Sequence, residues 1–506
     1  MYWPVVRNSI FFALALFILV INICVCGAAP TGGEEAGSEM LAKVVEVSWE
    51  FREGEVVLTF SSPRPYPYLV WKTANPPRLV IDITSKPQAT AAAAGFVGPY
   101  EERRTRDPLV HGIREGSIAE GGLRVVVDLV YAVPEWSVRE WREWRETGDG
   151  RVGLQVIIPR RFVAGQEVGV GRAVRFGIQR RGENFGQVTV NYLAVHLADP
   201  EVRLELVLAR DAIAGLETVS SMAVRHQALA AVNAGFFHYT GQPLGLVVNS
   251  GLPVSMSIYD RSAFVLMKDG SCDIYRAALK LYLITADGRR LALNGLNRQR
   301  GAGEAVAYNQ AYGTATPAGR SIRELVIEGD RVVAIGTGGT PLVPGRWVIA
   351  FDSDRLPGGA ASVGAPGRVE WELFLPEEQL TLPGKEVLLA LGGGPRLVAS
   401  GRVAVNAEEE RFQADVAKGR APRTALGLTA TGHLLLVTIN GRQTGLTEGM
   451  TLAEAAALLM ELGATEALNL DGGGSTTMVV RDRVVNMPSA DERPVASALL
   501  VFSTEF

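Results

Sequence analysis

The chain has little of the two side chains that most often build metal or redox centres. There are 3 cysteines and 5 histidines in 506 residues. Three cysteines cannot make a disulfide scaffold or a Cys-rich zinc site. His111, His196, His226, His238 and His433 show neither HxxxH nor HxH spacing, which argues against a multi-histidine metal centre. An excess of one charge is also missing: 50 basic against 54 acidic side chains leave a net charge of −4. No basic surplus of the kind a nucleic-acid binder uses is therefore present. What the chain does have is 47% hydrophobic and 21% charged residues, a globular composition that excludes wholesale disorder. The length suggests two or three domains.

The N-terminus reads as an export signal. Arg7 precedes an uncharged run from Ile10 to Cys26, followed by Gly27, Ala28 and Ala29. A charged start, an apolar middle and a small-residue exit are the parts of a secretory signal peptide, cut after Ala28; a retained membrane anchor is the alternative. Cleavage removes Cys24 and Cys26 and leaves Cys272. No later segment is long and apolar enough to span a bilayer. The expected location is secreted or envelope-associated, after a signal peptide over 1–28 and a polar linker over 29–42.

Residues 43–160 read as β-structure. KVVEVSWEF and EVVLTFSS flank Arg52-Glu53-Gly54 as a hairpin, and RLVIDIT, LRVVVDLV and RVGLQVIIP are further Val- and Ile-rich strands. The Pro-rich stretch SSPRPYPYLVWKTANPP reads as an edge or a loop. EWSVREWREWRE, with Trp136, Trp141 and Trp144, fits a helix or a strand. PPRLVIDI (76–83) and GGLRVVVDL (121–129), each a strand ending in Asp, resemble the AMIN domain of exported bacterial proteins. That resemblance implies a small all-β sandwich that tethers an enzyme to cell-wall polysaccharide or peptidoglycan. RFVAGQEVGVG (161–171), with three glycines, reads as a linker.

Residues 172–506 read as a mixed α/β (α+β) domain. A helix around Val219 to Leu229 leads into the strand ALAAVN (228–233). Near the C-terminus, Thr451 and Glu454 form a capping box. Leu452, Ala455, Ala456, Leu459 and Leu462 give that helix an apolar face, Gly463 ends it, and the strand EALNL follows. Both units end in a polar residue beside glycine, Asn233 and Asp471, at strand ends where sites commonly lie. Residues 270–400 read as strands and turns, and GGGPRLV (392–398) as a glycine run near the site.

DGGGSTT (471–477) is the strongest local signal. Consecutive glycines mark a backbone that turns sharply or approaches a ligand, and their amides suit an anion. Gly472, Gly473, Gly474, Ser475 and Thr476 are therefore candidate phosphate binders, with a plain structural turn as the alternative. No GK[ST] follows, so this is not a P-loop. Arg423 beside Thr424, and Arg442 at the turn INGRQ, are each a phosphate fork or a surface ion-pair member. Asp491-Glu492-Arg493 is a charged loop, with Arg493 a candidate anion contact. Asn233 with Gly235 reads as a ligand contact or a turn, and His238 as a proton donor or a packed residue.

NAGFF (233–237), PRTALG (422–427), NGRQ (440–443), the helix over 451–464, ALNLDGGGS (467–475) and VVNMPSADERPVASAL (484–499) together resemble the phosphodiester glycosidase family. The resemblance implies hydrolysis of a sugar-1-phosphate diester, with release of the sugar and a phosphomonoester left behind. It implies Asp471, Arg423 and Asn233 as catalytic residues and a carbohydrate phosphodiester as substrate. Ala421 and Asn440 stand where the family pattern carries Asn and Asp. No metal ligand set is read, and a divalent cation stays an option. Two other readings use the same residues: a non-catalytic polysaccharide-binding envelope protein, and a phosphodiesterase that cleaves P–O.

Overall fold

The computed structural model describes residues 44–85, 95–144, 150–319, 322–352, 362–443 and 447–504. The signal segment and the 29–42 linker lie outside these residues. The chain divides into two compact units, one ending at Phe162 and including Glu183–Gly186, the other comprising Val163–Gly182 and Gln187 onward.

In the first unit, Glu46–Phe51 and Glu55–Ser62 pair antiparallel as expected, and Gly150–Pro159 and Ser137–Trp144 complete a four-stranded sheet. EWSVREWREWRE is thus a strand. Trp141 lies opposite Gly153, where a Cβ would fall 2.3 Å from the indole, so only glycine leaves it room. A second sheet holds five strands in the order Tyr68–Ala74, Pro77–Ile83, Leu123–Leu129, Val110–Ser117 and Tyr100–Arg104. Leu58, Phe60, Val156, Leu79, Ile81, Val125 and Val127 from the two sheets share one buried core.

The two motifs ending in Asp are opposite strands of this second sheet. Asp82 faces Arg124 and Arg78 faces Asp128. Arg124 donates to Asp82 through Nε (2.6 Å) and Nη2 (2.7 Å), with both side chains buried. At the other end Asp128 accepts from Arg78 (2.8 Å) and twice from Arg114 (2.7 Å). Burial alone would raise the Asp128 pKa, but Arg114 and Arg78 hold it below the usual carboxylate value.

The mixed α/β expectation for the second unit is overturned. Among the described residues, 53% are in strands and 8% in helices, arranged in seven sheets. Two expected helices form, Val219–His226 and Leu452–Glu461, the latter with the Thr451/Glu454 capping box. The strands they feed pair antiparallel on both sides, so neither unit is a parallel crossover. The 161–171 segment is no linker: Phe162–Gly171 is an edge strand of an eight-stranded sheet. Phe162, Val163, Val168 and Val170 supply strand-forming side chains on this mostly exposed edge, a signal its three glycines mask.

That sheet runs Phe162–Gly171, Val174–Glu183, Gly186–His196, His433–Ile439, Arg423–Thr429, Ala464–Asn469, Arg396–Ala399 and Arg402–Val403. A five-stranded sheet of Arg203–Leu208, Ser497–Phe502, Ala230–Asn233, Met478–Val480 and Arg483–Val484 packs on it, and a third contributes Val387–Gly392. Leu426, Leu436, Leu468, Val232, Leu499, Phe264 and Leu391 weld the three into one core. Asn233, Gly392 and Asn469 thus end strands from three different sheets around that core.

Removing Asp82 leaves a buried guanidinium uncompensated. Asp82→Ala is expected to destabilise the first unit by about 3–5 kcal/mol in chemical denaturation. A loss below 1 kcal/mol would contradict the buried pair.

Candidate active site

The site forms where these strand ends meet. Asn233 is 1% exposed and its carboxamide makes three hydrogen bonds. Nδ2 donates to the Asp471 carbonyl (2.6 Å), while Oδ1 accepts from Thr424 Oγ1 (2.7 Å) and from the Thr477 N–H (3.1 Å). Its own N–H donates to Thr477 O, and the Asp471 N–H to Ala234 O. Asn233 therefore fixes the start and the end of the Asp471–Thr477 loop. It is a positioning residue rather than the catalytic group the sequence suggested.

The loop's glycines answer to space and torsion. A Cβ on Gly472 would fall 2.8 Å from Pro422 O, and Gly473 has φ +61° with Arg442 Nη1 3.1 Å from its Cβ position. Gly474 lies beside Arg493, with 3.6 Å to Cδ. The expected anion nest is partly spent: Gly473, Ser475 and Thr476 donate their N–H groups to Pro422, Gly472 and Gly473 carbonyls. The Ser475, Thr476 and Thr477 hydroxyls are buried and make no hydrogen bond.

Asp471 keeps part of its surface open. Desolvation in this crowded loop pushes its carboxyl up to about 6, against smaller downward pulls from the Ser475 side chain, Arg493 and the Gly472 N–H. Ser475 Oγ is near enough to act on the charge but short of hydrogen-bond geometry. At neutral pH Asp471 is an anion with a proton affinity suited to base catalysis.

Arg423 differs from its expected role. It is 3% exposed and donates to the carbonyls of Met450 (2.9 Å), Val416 (3.1 Å) and Gly419 (3.0 Å). Burial, and then Arg442, lowers its pKa to about 10, so it stays charged without a carboxylate partner. It orders the loop before its strand and adds positive field. Arg442, with φ 58°, and Arg493 are exposed and flank the glycines from two loops. Arg493 also sits over the Phe237 ring, 5.4 Å from its centroid.

His238 is exposed and its Nδ1 bonds Thr240 Oγ1. Glu492 is committed to helix Val219–His226, accepting the Ser220 N–H at 2.9 Å. Asn440 is buried; its Oδ1 accepts from the Met487 N–H (3.2 Å) and its carbonyl from Thr447 (3.0 Å). Ala421 bridges Met450 through both backbone groups. Both positions that depart from the family pattern thus shape loops here. The sequence did not signal Glu410, which is buried and accepts from Ser262 and from the Arg396 N–H. The glycine run 392–394 does reach the site: Gly235 and Gly393 approach the Gly392 and Asn469 carbonyls to within 2.7 and 2.6 Å of a Cβ. Among the described residues no three His, Cys, Asp or Glu side chains converge to hold a metal ion.

Asp471, Arg423, Arg442 and Arg493 all fall in one stretch that matches known proteins. Residues 321–502 match the phosphodiester glycosidase family. The N-acetylglucosamine-1-phosphodiester alpha-N-acetylglucosaminidase of Mus musculus is 29% identical over 126 residues, 23% of this chain and 24% of its own. The Bos taurus enzyme of the same name is 30% identical over 125 residues, 23% of each chain. The chain thus spans about a quarter of the length of the curated phosphodiester glycosidases it matches. Two solved structures share the fold: a Synechocystis protein (TM-score 0.57, 21% identity, 91% of this chain and 80% of that one) and a Burkholderia pseudomallei protein (0.52, 23%, 90% and 96%). At such identity the likeness speaks to the fold alone.

A carboxyl whose folded pKa lies above its ordinary 3.8 favours folding while protonated; that contribution is lost as pH rises toward 6. Asp471→Asn, which mimics the protonated form, should therefore raise Tm at pH 8 and leave it unchanged at pH 3.5. An unchanged or lower Tm at pH 8 would contradict the assigned environment.

Proposed function

We propose that the protein is an exported phosphodiester glycosidase that hydrolyses a sugar-1-phosphate diester of a cell-wall or extracellular polysaccharide. The observation that carries this reading is the placement of Asp471. Its carboxyl, raised to about 6, stands on a clamped glycine loop flanked by Arg442 and Arg493 in the stretch that matches the family. Arg442 and Arg493 bind the phosphate oxygens. Asp471 takes the proton from a water whose oxygen bonds to the anomeric carbon. The C1–O bond breaks, and its electron pair leaves on the phosphate oxygen, giving free sugar and a phosphomonoester. Phosphate leaves as a stable anion, so a second carboxyl acting as acid is not required, unlike in ordinary glycosides.

Export rests on the Ile10 to Cys26 run and its small-residue exit. In the same reading the first unit is an AMIN-like tether. Its cleft of about 180 Å³, lined by Tyr66, Tyr68, Glu140, Trp141 and Arg142, offers aromatic faces and polar groups of the kind that hold a glycan. No helix of the described residues is long and apolar enough to cross a membrane.

Turnover of a sugar-1-phosphate diester in H₂¹⁸O is expected to place the label on the sugar and none in phosphate. Label in phosphate would show P–O cleavage, and binding without turnover would favour the non-catalytic reading; either overturns the proposal. The acid limb of kcat/KM is expected near pH 6. Arg493→Ala, which removes a charge that lowers the Asp471 pKa, should move the limb to higher pH. An unmoved limb would contradict the coupling.

A further inference from the structure

A line of aromatic and cationic side chains leaves the Asp471 loop and ends in a feature the proposed chemistry does not use. Arg493 covers Phe237. The next residue, Phe236, packs on Phe412 with ring centroids 5.4 Å apart. Arg261 lies 3.8 Å above the Phe412 ring. Beyond it Tyr259 is 55% exposed, with Arg411 4.9 Å and Arg261 5.6 Å from its ring centroid. Phe412 also closes on the glycine run: a Cβ on Gly394 would lie 2.6 Å from its ring. The far cluster is therefore tied to the site from two directions.

Three features set this cluster apart from ordinary surface. Tyr259, Asp260 and Arg411 all have φ of 50–55°, a left-handed conformation that a bulky residue adopts only when its surroundings enforce it. Enforcement comes from Arg261, which donates to the carbonyls of Glu410 and Arg411 at 2.9 Å and so holds one loop against the other. Neither guanidinium has a carboxylate partner among the described residues. The neighbouring Glu410 is turned inward to Ser262 and Arg396, although it adds some negative potential at Arg261. Glu408, Glu409 and Asp260 are exposed nearby and form no ion pair with Arg411. A half-exposed aromatic ring thus stands beside an exposed cation that has no carboxylate partner among the described residues, a pairing that suits a sugar ring carrying an anionic group.

Resting on the proposed hydrolysis, we infer that Tyr259 and Arg411 form a distal subsite for a further anionic sugar of the same chain. The substrate class is then an extended glycan with repeated phosphodiester or other acidic groups, rather than an isolated sugar phosphate. The Arg493–Phe237–Phe236–Phe412–Arg261 line is the path between the two subsites.

The test uses the full chain with Asp471→Asn, so that binding is read without turnover. Its probes are synthetic oligomers of two and of four hexosamine 1-phosphate units, and a neutral hexosamine tetramer. By calorimetry the anionic tetramer should bind at least tenfold tighter than the dimer. Adding Arg411→Asn or Tyr259→Asn, where asparagine accepts the left-handed backbone, should cut that ratio below threefold. Equal affinity for the two lengths, a ratio that survives both substitutions, or an equal gain for the neutral tetramer would overturn the subsite. Because binding is measured in an inactive variant, a wild-type protein that fails to hydrolyse the dimer would sink the glycosidase reading alone.

Discussion

The buried carboxamide of Asn233 is the constraint on which the rest of the site depends. One side chain holds the Asp471 carbonyl, the Thr477 amide and the Thr424 hydroxyl, so the glycine loop is pinned at both ends to two sheets. Between those pins the backbone turns through Gly472 and Gly473 with no side chain to separate Asp471 from Arg442 and Arg493. A loop of this composition is entropically expensive to order. The clamp confines it, and the carboxyl is consequently held where desolvation raises its pKa.

Charge is handled in opposite ways by the paired strands of the first unit and by the site in the second. In the first, each Asp of the paired strands meets an arginine across the register, and the cations are neutralised within the sheet. At the site of the second, Arg423 satisfies its donors with carbonyls, and Arg442, Arg493 and Arg411 have no carboxylate partner among the described residues. Uncompensated cations around one raised carboxyl are unfavourable for stability and favourable for an anionic ligand. The first arrangement stabilises a sheet; the second leaves charge free for binding.

Much of this was legible in the sequence. The Thr451/Glu454 capping box, the glycine-rich loop and the apolar strands are local signals, and they appear where their residues predict. The mixed α/β reading failed because two clear helices were extended into a rule for the domain, while antiparallel pairing between segments hundreds of residues apart leaves no local trace. Phe162–Gly171 was missed because three glycines outweighed its Phe and Val residues. Arg423 and Asn233 lie beside the Asp471 loop, yet their roles depend on where the side chain points. A buried arginine bound to three carbonyls and an exposed one reaching for phosphate are the same letter. Glu410 and Tyr259 stand among unremarkable neighbours, and only the tertiary meeting of their loops gives them meaning.

The central claim is that this clamped loop makes Asp471 an unusually basic carboxylate. Selective ¹³C labelling of aspartate in the full chain, with the Asp471→Asn spectrum subtracted, isolates its carboxyl resonance for titration. The account predicts a midpoint near 6. A midpoint near 4, the ordinary aspartate range, would contradict it.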